Sequence, residues 1–122
     1  YTDMFDMDEK TVSCGANSYT QKYYFNDEFS MLPESIQKEL KILCVLYVED
    51  VGGILTLEFS EEGNLELRAE NDEADYLFDE IGSVLKIKQI QREKSELLES
   101  LELYFRVFYL GLDPEDGGKE QQ

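Results

Sequence analysis

The side chains best equipped for chemistry are ten acids between residues 58 and 80, accompanied by a single base, Arg68. Carboxylate oxygens bind Ca²⁺ and Mg²⁺, and a carboxylate pair such as Asp75 and Asp79 can act as general acid and base when one member is buried. Residues 71–80 lack the alternating ligands, central glycine and terminal glutamate of a calcium loop. We therefore expect helix capping and a solvent-facing surface, with no bound metal. The acids are Glu58, Glu61, Glu62, Glu66, Glu70, Asp72, Glu73, Asp75, Asp79 and Glu80.

The complete absence of histidine excludes further chemistry. Histidine is the commonest general base, the usual activator of serine and cysteine nucleophiles, and a frequent zinc ligand. The two cysteines form no metal-binding or redox motif. Cys44 lies in an apolar run and is expected in the core, whereas Cys14 beside Gly15 is expected in a loop as the more accessible thiol. The sequence therefore predicts a non-enzymatic protein without catalytic residues, cofactor or metal.

The overall charge restricts the class of partner. Twenty-eight acids against eleven bases give a net charge of −17. Such a charge repels nucleic acid and anionic membranes and attracts basic proteins. The longest apolar run, 42–48, is far shorter than the roughly 20 residues of a membrane span. The low cysteine count is typical of a cytoplasmic protein. Together with the charge, it leads us to expect a cytoplasmic protein that binds neither nucleic acid nor membrane.

Two clusters near the end of the chain are candidate contact surfaces. One is basic and holds Lys86, Lys88, Arg92 and Lys94. The favoured interpretation is a solvent-facing helix surface that balances the preceding acids. The other is aromatic and holds Tyr104, Phe105, Phe108 and Tyr109, which spread around a wide arc of a helix. Because tyrosine is enriched at interfaces, we expect Phe105 and Tyr109 to contribute to a dimer or partner surface.

A β-hairpin over about 53–70 is the clearest structural element. Apolar and polar residues alternate on both sides of a loop that contains Gly63, which suits the left-handed conformation. The register pairs Phe59 with Leu65, Leu57 with Leu67, and Leu55 with Ala69. The opposite face pairs Glu58 with Glu66 and Thr56 with Arg68, and we expect that face to be exposed to solvent.

Helices are expected to cover the apolar face of this hairpin. The first, over about 33–50, begins near Pro33 and ends before Gly52, although residues 42–48 also suit a buried strand. A second, over about 73–82, carries Leu77, Phe78 and Ile81, and a third extends over about 84–110. With a candidate edge strand over 18–25, the sequence predicts an α+β fold built on a small antiparallel sheet covered on one face by helices.

The domain organisation is expected to be simple. At 122 residues, the chain fits one domain, 1–122. Residues 1–17 are predicted to form a loosely ordered acidic N-terminal arm, since the first 13 lack sustained periodicity. Residues 112–122 are predicted to form a loosely ordered polar tail.

The segments LPESIQKELKILCVLYVEDVGGILTLEF (32–59) and DEIGSVLKIKQIQREKSELLESLELYFRVFYLG (79–111) resemble a family of small acidic proteins from anaerobic Firmicutes, a family of unknown function. The resemblance covers about residues 19–111 and rests on the overall pattern of the sequence. It implies a bacterial cytosolic protein and carries over no catalytic residue. The order of elements is also similar to that of small immunity proteins that neutralise toxins.

Three functional hypotheses follow. The first is a non-enzymatic protein-protein interaction module, acting with another protein or as a homodimer. Its contact surface would be the aromatic residues Phe105 and Tyr109 or an acidic face around Arg68. The second is an acidic immunity-like or decoy protein that binds a basic partner, and the third is a divalent-metal-dependent enzyme that uses the carboxylates of residues 70–80. The acidic face consists of Glu58, Glu66, Arg68, Glu70, Asp72 and Asp75.

Overall fold

The computed structural model describes residues 10–111, which form four strands and three α-helices. The strands are β1 (Thr11–Asn17), β2 (Lys22–Phe25), β3 (Ile54–Phe59) and β4 (Leu65–Glu70), and they form one antiparallel sheet in the order β2-β1-β3-β4. The helices are α1 (Glu34–Asp50), α2 (Glu80–Glu93) and α3 (Ser95–Tyr104), with a 3₁₀ turn at Asp27–Phe29 and a π-helical turn at Phe105–Tyr109. The predicted α+β class, with helices packed on an antiparallel sheet, is confirmed.

The predicted hairpin is confirmed in its register. Phe59 pairs with Leu65, Leu57 with Leu67, and Leu55 with Ala69. Leu55, Leu57 and Phe59 of β3 are fully buried, and the apolar side chains of β4 pack at the border of the core. Gly63 in the connecting loop has φ +91°, a conformation that glycine adopts without the strain of a side chain.

The sequence is compatible with either a helix or a strand over residues 42–48. In the structure, these residues belong to α1. Leu43 and Tyr47 are buried on the sheet, whereas Ile42 and Leu46 are exposed. The helix ends at Asp50, and Gly52 follows with φ +87°, as the predicted left-handed cap requires.

The prediction of an acidic arm over 1–17 is wrong for residues 11–17, which form β1 in the interior of the sheet. Two features hide this strand. A register shift between Val12 and Cys14 interrupts the alternation of buried and exposed side chains along the strand. In addition, Gly15 is a residue type that is uncommon in strands. A Cβ atom at Gly15 would stand 2.7 Å from the carbonyl oxygen of Leu55, so the close pairing of β1 with β3 requires glycine there. Cys14 is consequently buried in a strand, and its assignment to a loop is wrong. Residues 1–9 and the predicted tail 112–122 lie outside the described residues.

The predicted helix over 73–82 is wrong for residues 73–79 and correct for residues 80–82. Residues 71–79 form turns and irregular backbone, and α2 begins at Glu80. Asp79 caps this helix, because its Oδ1 accepts a hydrogen bond of 2.9 Å from the N–H of Gly82. The side chain of Asp72 instead closes a local turn by accepting from the N–H of Ala74.

The predicted long helix over 84–110 is divided. The backbone breaks at Lys94, which has φ −112° and ψ +27°, and the last turn after α3 is π-helical. An unbroken helix of that length would extend about 40 Å, roughly twice the length of the six-residue strands it covers. The break lets residues before and after it, Ile90 and Leu97 among them, both enter the core.

The core lies between the apolar face of the sheet and the helices. An additional contact attaches α3 to the sheet, since Glu102 Oε2 accepts a hydrogen bond of 2.7 Å from the N–H of Leu65. Within residues 10–111, no helix has both the length and the hydropathy to cross a bilayer. The buried apolar residues are Cys14, Ala16, Phe29, Leu32, Leu40, Leu43, Cys44, Tyr47, Leu55, Leu57, Phe59, Ile90, Leu97, Leu98, Leu101 and Phe105.

Candidate functional site

The outward face of β3 and β4 carries a chain of ion pairs, which we call the charged sheet face: Lys10, Glu58, Glu66, Arg68 and Glu70. Lys10 Nζ lies 2.8 Å from Glu66 Oε1 and 3.6 Å from Glu58 Oε1. On the other side, Arg68 lies 3.7 Å from Glu58 Oε1 and 2.8 Å from Glu70 Oε2. The hydrogen bond to Glu66 raises the pKa of Lys10. Arg68 thus pairs with two of the predicted acids and Lys10 with the third, so the two cations offset most of the charge of the three carboxylates.

Glu58 is only 5% exposed, so the prediction that its side chain faces solvent is wrong. Val12 and Glu66 flank it as its partners on the two neighbouring strands, and the two cations approach its carboxylate. Among residues 10–111, Glu58 Oε1 has no hydrogen-bond partner. Charge attraction over 3.6–3.7 Å therefore holds this carboxylate in place. Lys10 was missed because it precedes β1, in the segment predicted to be an arm.

Asp72 and Asp75 lie apart from these ion pairs, beyond the end of β4, where Tyr19 binds them both. The Tyr19 hydroxyl donates to Asp75 Oδ2 at 2.7 Å and accepts from the N–H of Asp72 at 3.0 Å. The hydrogen bond to Asp75 raises the pKa of Tyr19. The structure therefore attaches this part of the predicted acidic face to the turn between β1 and β2. Nothing local in the sequence pairs Tyr19 with residues more than 50 positions away.

The carboxylates of residues 70–80 are engaged separately. Glu70 pairs with Arg68, Asp75 accepts from Tyr19, and Asp79 caps α2. Across residues 10–111, no group of three or more acids or cysteines is arranged to hold a metal ion. In this part of the chain, the geometry provides neither the converging oxygens of a cation site nor a buried carboxylate pair.

Of the two aromatic residues expected at a partner surface, one lies in the core. Phe105 is buried and stacks on Phe59 with ring centroids 4.1 Å apart, so its assignment to a surface is wrong. Tyr109 is partly exposed and stacks on Phe105 at 4.8 Å. The π-helical turn explains the arrangement: the N–H of Leu110 donates to the carbonyl of Phe105, five residues earlier. This wider turn directs Phe105 into the core and lets Tyr109 stack on it at the surface, while Phe108 is exposed.

Phe29, in the 3₁₀ turn, is the centre of this aromatic cluster. Its ring centroid lies 5.8 Å from that of Phe59, 5.6 Å from Tyr104, 6.3 Å from Phe105 and 5.5 Å from Tyr109. The side chain is fully buried. The cluster therefore closes one end of the core, and only its margin is available to a partner.

A different surface exposes large apolar side chains, which we call the apolar stripe: Tyr76, Leu77, Ile81, Val84 and Leu85. Tyr76 and Leu77 precede α2, and the other three follow at spacings of three and four on its outward side. Their exposed fractions range from 52% to 94%. The opposite side of α2 faces the core, where Ser83 lies 2.6 Å from the Tyr47 hydroxyl. Apolar residues that face the core of a protein have the same helical spacing. The sequence alone therefore does not show whether this stripe is buried or exposed.

A groove follows β2 and α1. Its two cavities, of about 600 Å³ and 350 Å³, share Tyr23 and Lys41 as lining residues. Lys41 Nζ lies 5.8 Å from the centroid of the Tyr23 ring, in cation–π geometry. Lys22 and Lys38 each line one cavity. We call this region the β2–α1 groove.

Two free thiols lie beneath this groove. Cys14 of β1 and Cys44 of α1 are both buried, with their Sγ atoms 3.9 Å apart. The contact with Cys14, together with burial, raises the pKa of Cys44. Burial and the two thiols also raise the pKa of Tyr23, whose hydroxyl has no hydrogen-bond partner among the described residues. The contact with Cys44 lowers the pKa of Cys14, but both thiols are fully buried and therefore are not accessible nucleophiles.

Comparison with known protein families shows which family the chain belongs to. A family described as "Family of unknown function (DUF6145)" matches residues 10–113. The chain belongs to this family. No curated protein and no solved structure matches it.

The region shared with family DUF6145 begins at Lys10, immediately before β1. It therefore includes the strand that sequence reasoning assigned to an arm, and it extends further toward the N-terminus than the resemblance over about 19–111. All four strands and three helices described above lie within it. Family membership assigns no activity, so function has to be argued from the surfaces of this chain.

Proposed function

We propose that this chain is a non-enzymatic protein-protein interaction module that binds a second copy of itself through the apolar stripe of α2. The observation that carries the proposal is the exposure of five large apolar side chains in and just before the first half of α2, each more than half exposed. When such side chains join into one apolar patch, that patch typically marks an interaction site. A paired partner would remove these side chains from water, and the hydrophobic effect would drive the association.

Opposite charges at the two ends of α2 favour a second copy of the chain as the partner. Asp79 and Glu80 lie at the beginning of α2, and Lys88 and Arg92 lie in its second half. In a twofold-symmetric dimer, the same surface contacts itself and two α2 helices can run antiparallel. The acidic beginning of each helix would then lie beside the basic half of the other. This arrangement gives a role to bases that the sequence analysis assigned to a solvent-facing surface.

The acidic immunity-like or decoy function has less support from the geometry. It requires a contiguous acidic surface, but Lys10 and Arg68 separate the carboxylates of the charged sheet face. Of the remaining predicted acids, Asp75 accepts a hydrogen bond from Tyr19, and the Asp72 carboxylate accepts one from the N–H of Ala74. Rim charges of this kind influence the rate of association more than the affinity.

We propose the bacterial cytosol as the setting, with neither nucleic acid nor membrane as partner. The net charge of −17 supports the exclusion of polyanions, because no counterion release would offset the repulsion. The free thiols of Cys14 and Cys44, 3.9 Å apart, support a reducing compartment. The resemblance to small acidic proteins of anaerobic Firmicutes supports a bacterial origin.

Sedimentation equilibrium on the full chain tests the dimer directly. We expect a concentration-dependent dimer that Ile81→Glu combined with Leu85→Glu converts to a monomer, because two charges would replace apolar contact at the centre of the stripe.

The matched control is Ile42→Glu with Leu46→Glu, which places the same substitutions at the same spacing on α1. Ile42 and Leu46 are 55% and 56% exposed and lie outside the stripe, so this control should remain dimeric. A wild-type protein that stays monomeric up to about millimolar concentration, a Kd corresponding to only about −4 kcal/mol, would refute the proposal. Equal loss of the dimer in both double variants would do the same.

A further inference from the structure

We propose a second binding site, independent of the dimer surface: the β2–α1 groove binds an extended acidic peptide, which adds a strand to the free edge of β2. Two separate observations meet at this edge. One is a set of backbone groups that point away from the sheet, and the other is a groove with basic side chains beside them.

The backbone argument begins with the sheet order, in which β2 is an edge strand and no strand of residues 10–111 pairs with its outer side. Hydrogen bonding alternates along an antiparallel strand. Because the N–H of Asn26 donates to the carbonyl of Ser13 in β1, the N–H and C=O groups of Tyr24 also face β1. Those of Tyr23 and Phe25 therefore point outward, where a peptide strand can bind them.

The side chains of the same two residues define the space next to this edge. Tyr23 and Phe25 pack at the border of the core, on the side of the sheet that α1 covers. Both line the smaller cavity, which Lys38 also lines, and Tyr23 continues into the larger one. An added strand would direct every second side chain into this groove, whose apolar floor includes Val45 and Val48.

The charge of the groove selects an acidic occupant. Three of the eleven bases of the chain, Lys22, Lys38 and Lys41, line it, although the whole chain carries −17. Each cavity holds two lysines against one acid, Glu49 in the larger and Glu34 in the smaller. A local positive region on an acidic protein attracts carboxylates and disfavours basic segments.

The test uses the full chain and a fluorescein-labelled hexapeptide of alternating glutamate and valine, with binding followed by fluorescence anisotropy. We expect saturable binding that Lys38→Glu with Lys41→Glu weakens by about tenfold or more, because each substitution replaces an attractive charge with a repulsive one. Lys86→Glu with Lys94→Glu changes the net charge equally, lies outside the groove, and should leave binding of the peptide unchanged.

Comparing the peptide with a version N-methylated at alternate residues distinguishes strand addition from simple charge attraction. N-methylation removes backbone donors and keeps the carboxylates, so we expect it to abolish binding. Amide exchange of Tyr23 and Phe25 should slow when the unmodified peptide is bound. Three results would each overturn the proposal: no saturable binding of the acidic peptide, equal binding of the N-methylated peptide, or equal binding of an alternating lysine–valine peptide. Loss of peptide binding has no bearing on the dimer, which is measured separately by sedimentation.

Discussion

The hydroxyl oxygens of Tyr47 and Ser83 lie 2.6 Å apart in the interior, and this hydrogen bond joins α1 to the first turn of α2. Both residues are buried. A buried polar atom that loses its partner carries the full cost of its removal from water. The pair therefore fixes the position of α2, whose outer side carries the apolar stripe.

Removing either hydroxyl should destabilise the protein, because the other would remain buried without a partner. We expect Tyr47→Phe and Ser83→Ala each to lower the free energy of unfolding by about 1–3 kcal/mol. The double variant should lose less than the sum of the two, since the second change removes the orphaned group. Urea unfolding measures all three, with Tyr24→Phe on the exposed outer sheet face as a control. Strictly additive losses would contradict a direct Tyr47–Ser83 bond.

The same pair makes stability sensitive to alkaline pH. Burial raises the pKa of Tyr47, while the hydrogen bond to Ser83 acts in the opposite direction. The folded protein thus holds this proton to a higher pH than the unfolded chain does, so its contribution to stability is complete below about pH 10 and declines above it. We expect the difference in unfolding free energy between wild type and Tyr47→Phe to shrink as the pH rises above about 10. A constant difference would show that Tyr47 titrates as it does in the unfolded chain, and a growing difference would show that folding lowers its pKa.

Glu58 offers a test of the charged sheet face. Its carboxylate is buried, and Oε1 accepts no hydrogen bond from the described residues. Replacing buried ionic groups by apolar ones is often neutral or stabilising. Lys10 and Arg68 would keep their 2.8 Å contacts to Glu66 and Glu70. We therefore expect Glu58→Leu to change the free energy of unfolding by between about 0 and +2 kcal/mol.

Urea unfolding in low salt and in about 1 M salt, where the Debye length is about 3 Å, measures this effect. Glu66→Leu is the control, because its side chain is about half exposed and directly paired with Lys10. A loss of more than about 1 kcal/mol in Glu58→Leu would mean that the two cations stabilise the buried carboxylate beyond the cost of its desolvation.

Local patterns explain which elements were predictable. The hairpin follows from strict alternation on both strands and from Gly63, and its register was correct to the residue. The end of α1 follows from Gly52, whose positive φ the sequence indicates. In both cases, residues close in the chain determine the structure.

The elements that sequence reasoning missed depend on distant residues. The sequence pattern of β1 is not recognisable as a strand, because it contains a register shift and small side chains. Only its pairing with β3 shows that it is one. The helical spacing continues through Lys94, so the break appears only when the size of the sheet is known. Phe29 becomes the centre of the aromatic cluster through contacts with rings about 30 and 80 residues away.

The candidate site was predicted only in part for the same reason. Glu58, Glu66, Arg68 and Glu70 meet because the hairpin register is local. Lys10 joins them only through the position of β1, and Tyr19 reaches Asp72 and Asp75 across the sheet end. Periodicity also placed Phe105 and Ile81 on helical stripes, but it did not reveal which stripe a neighbour covers.

The interior position of β1 has a consequence for synthesis on the ribosome. This strand leaves the exit tunnel before its partner β3, because Ser13 bonds to Leu57, 44 residues later. While those residues are translated, β1 has β2 as its only sheet neighbour among the described strands, and its other edge is an open template for a second nascent chain. Rapid formation of α1 over the apolar side of β1 would shield that side in the interval. Codons that slow translation between α1 and β3 would therefore lengthen the time in which neighbouring chains on one messenger can pair incorrectly.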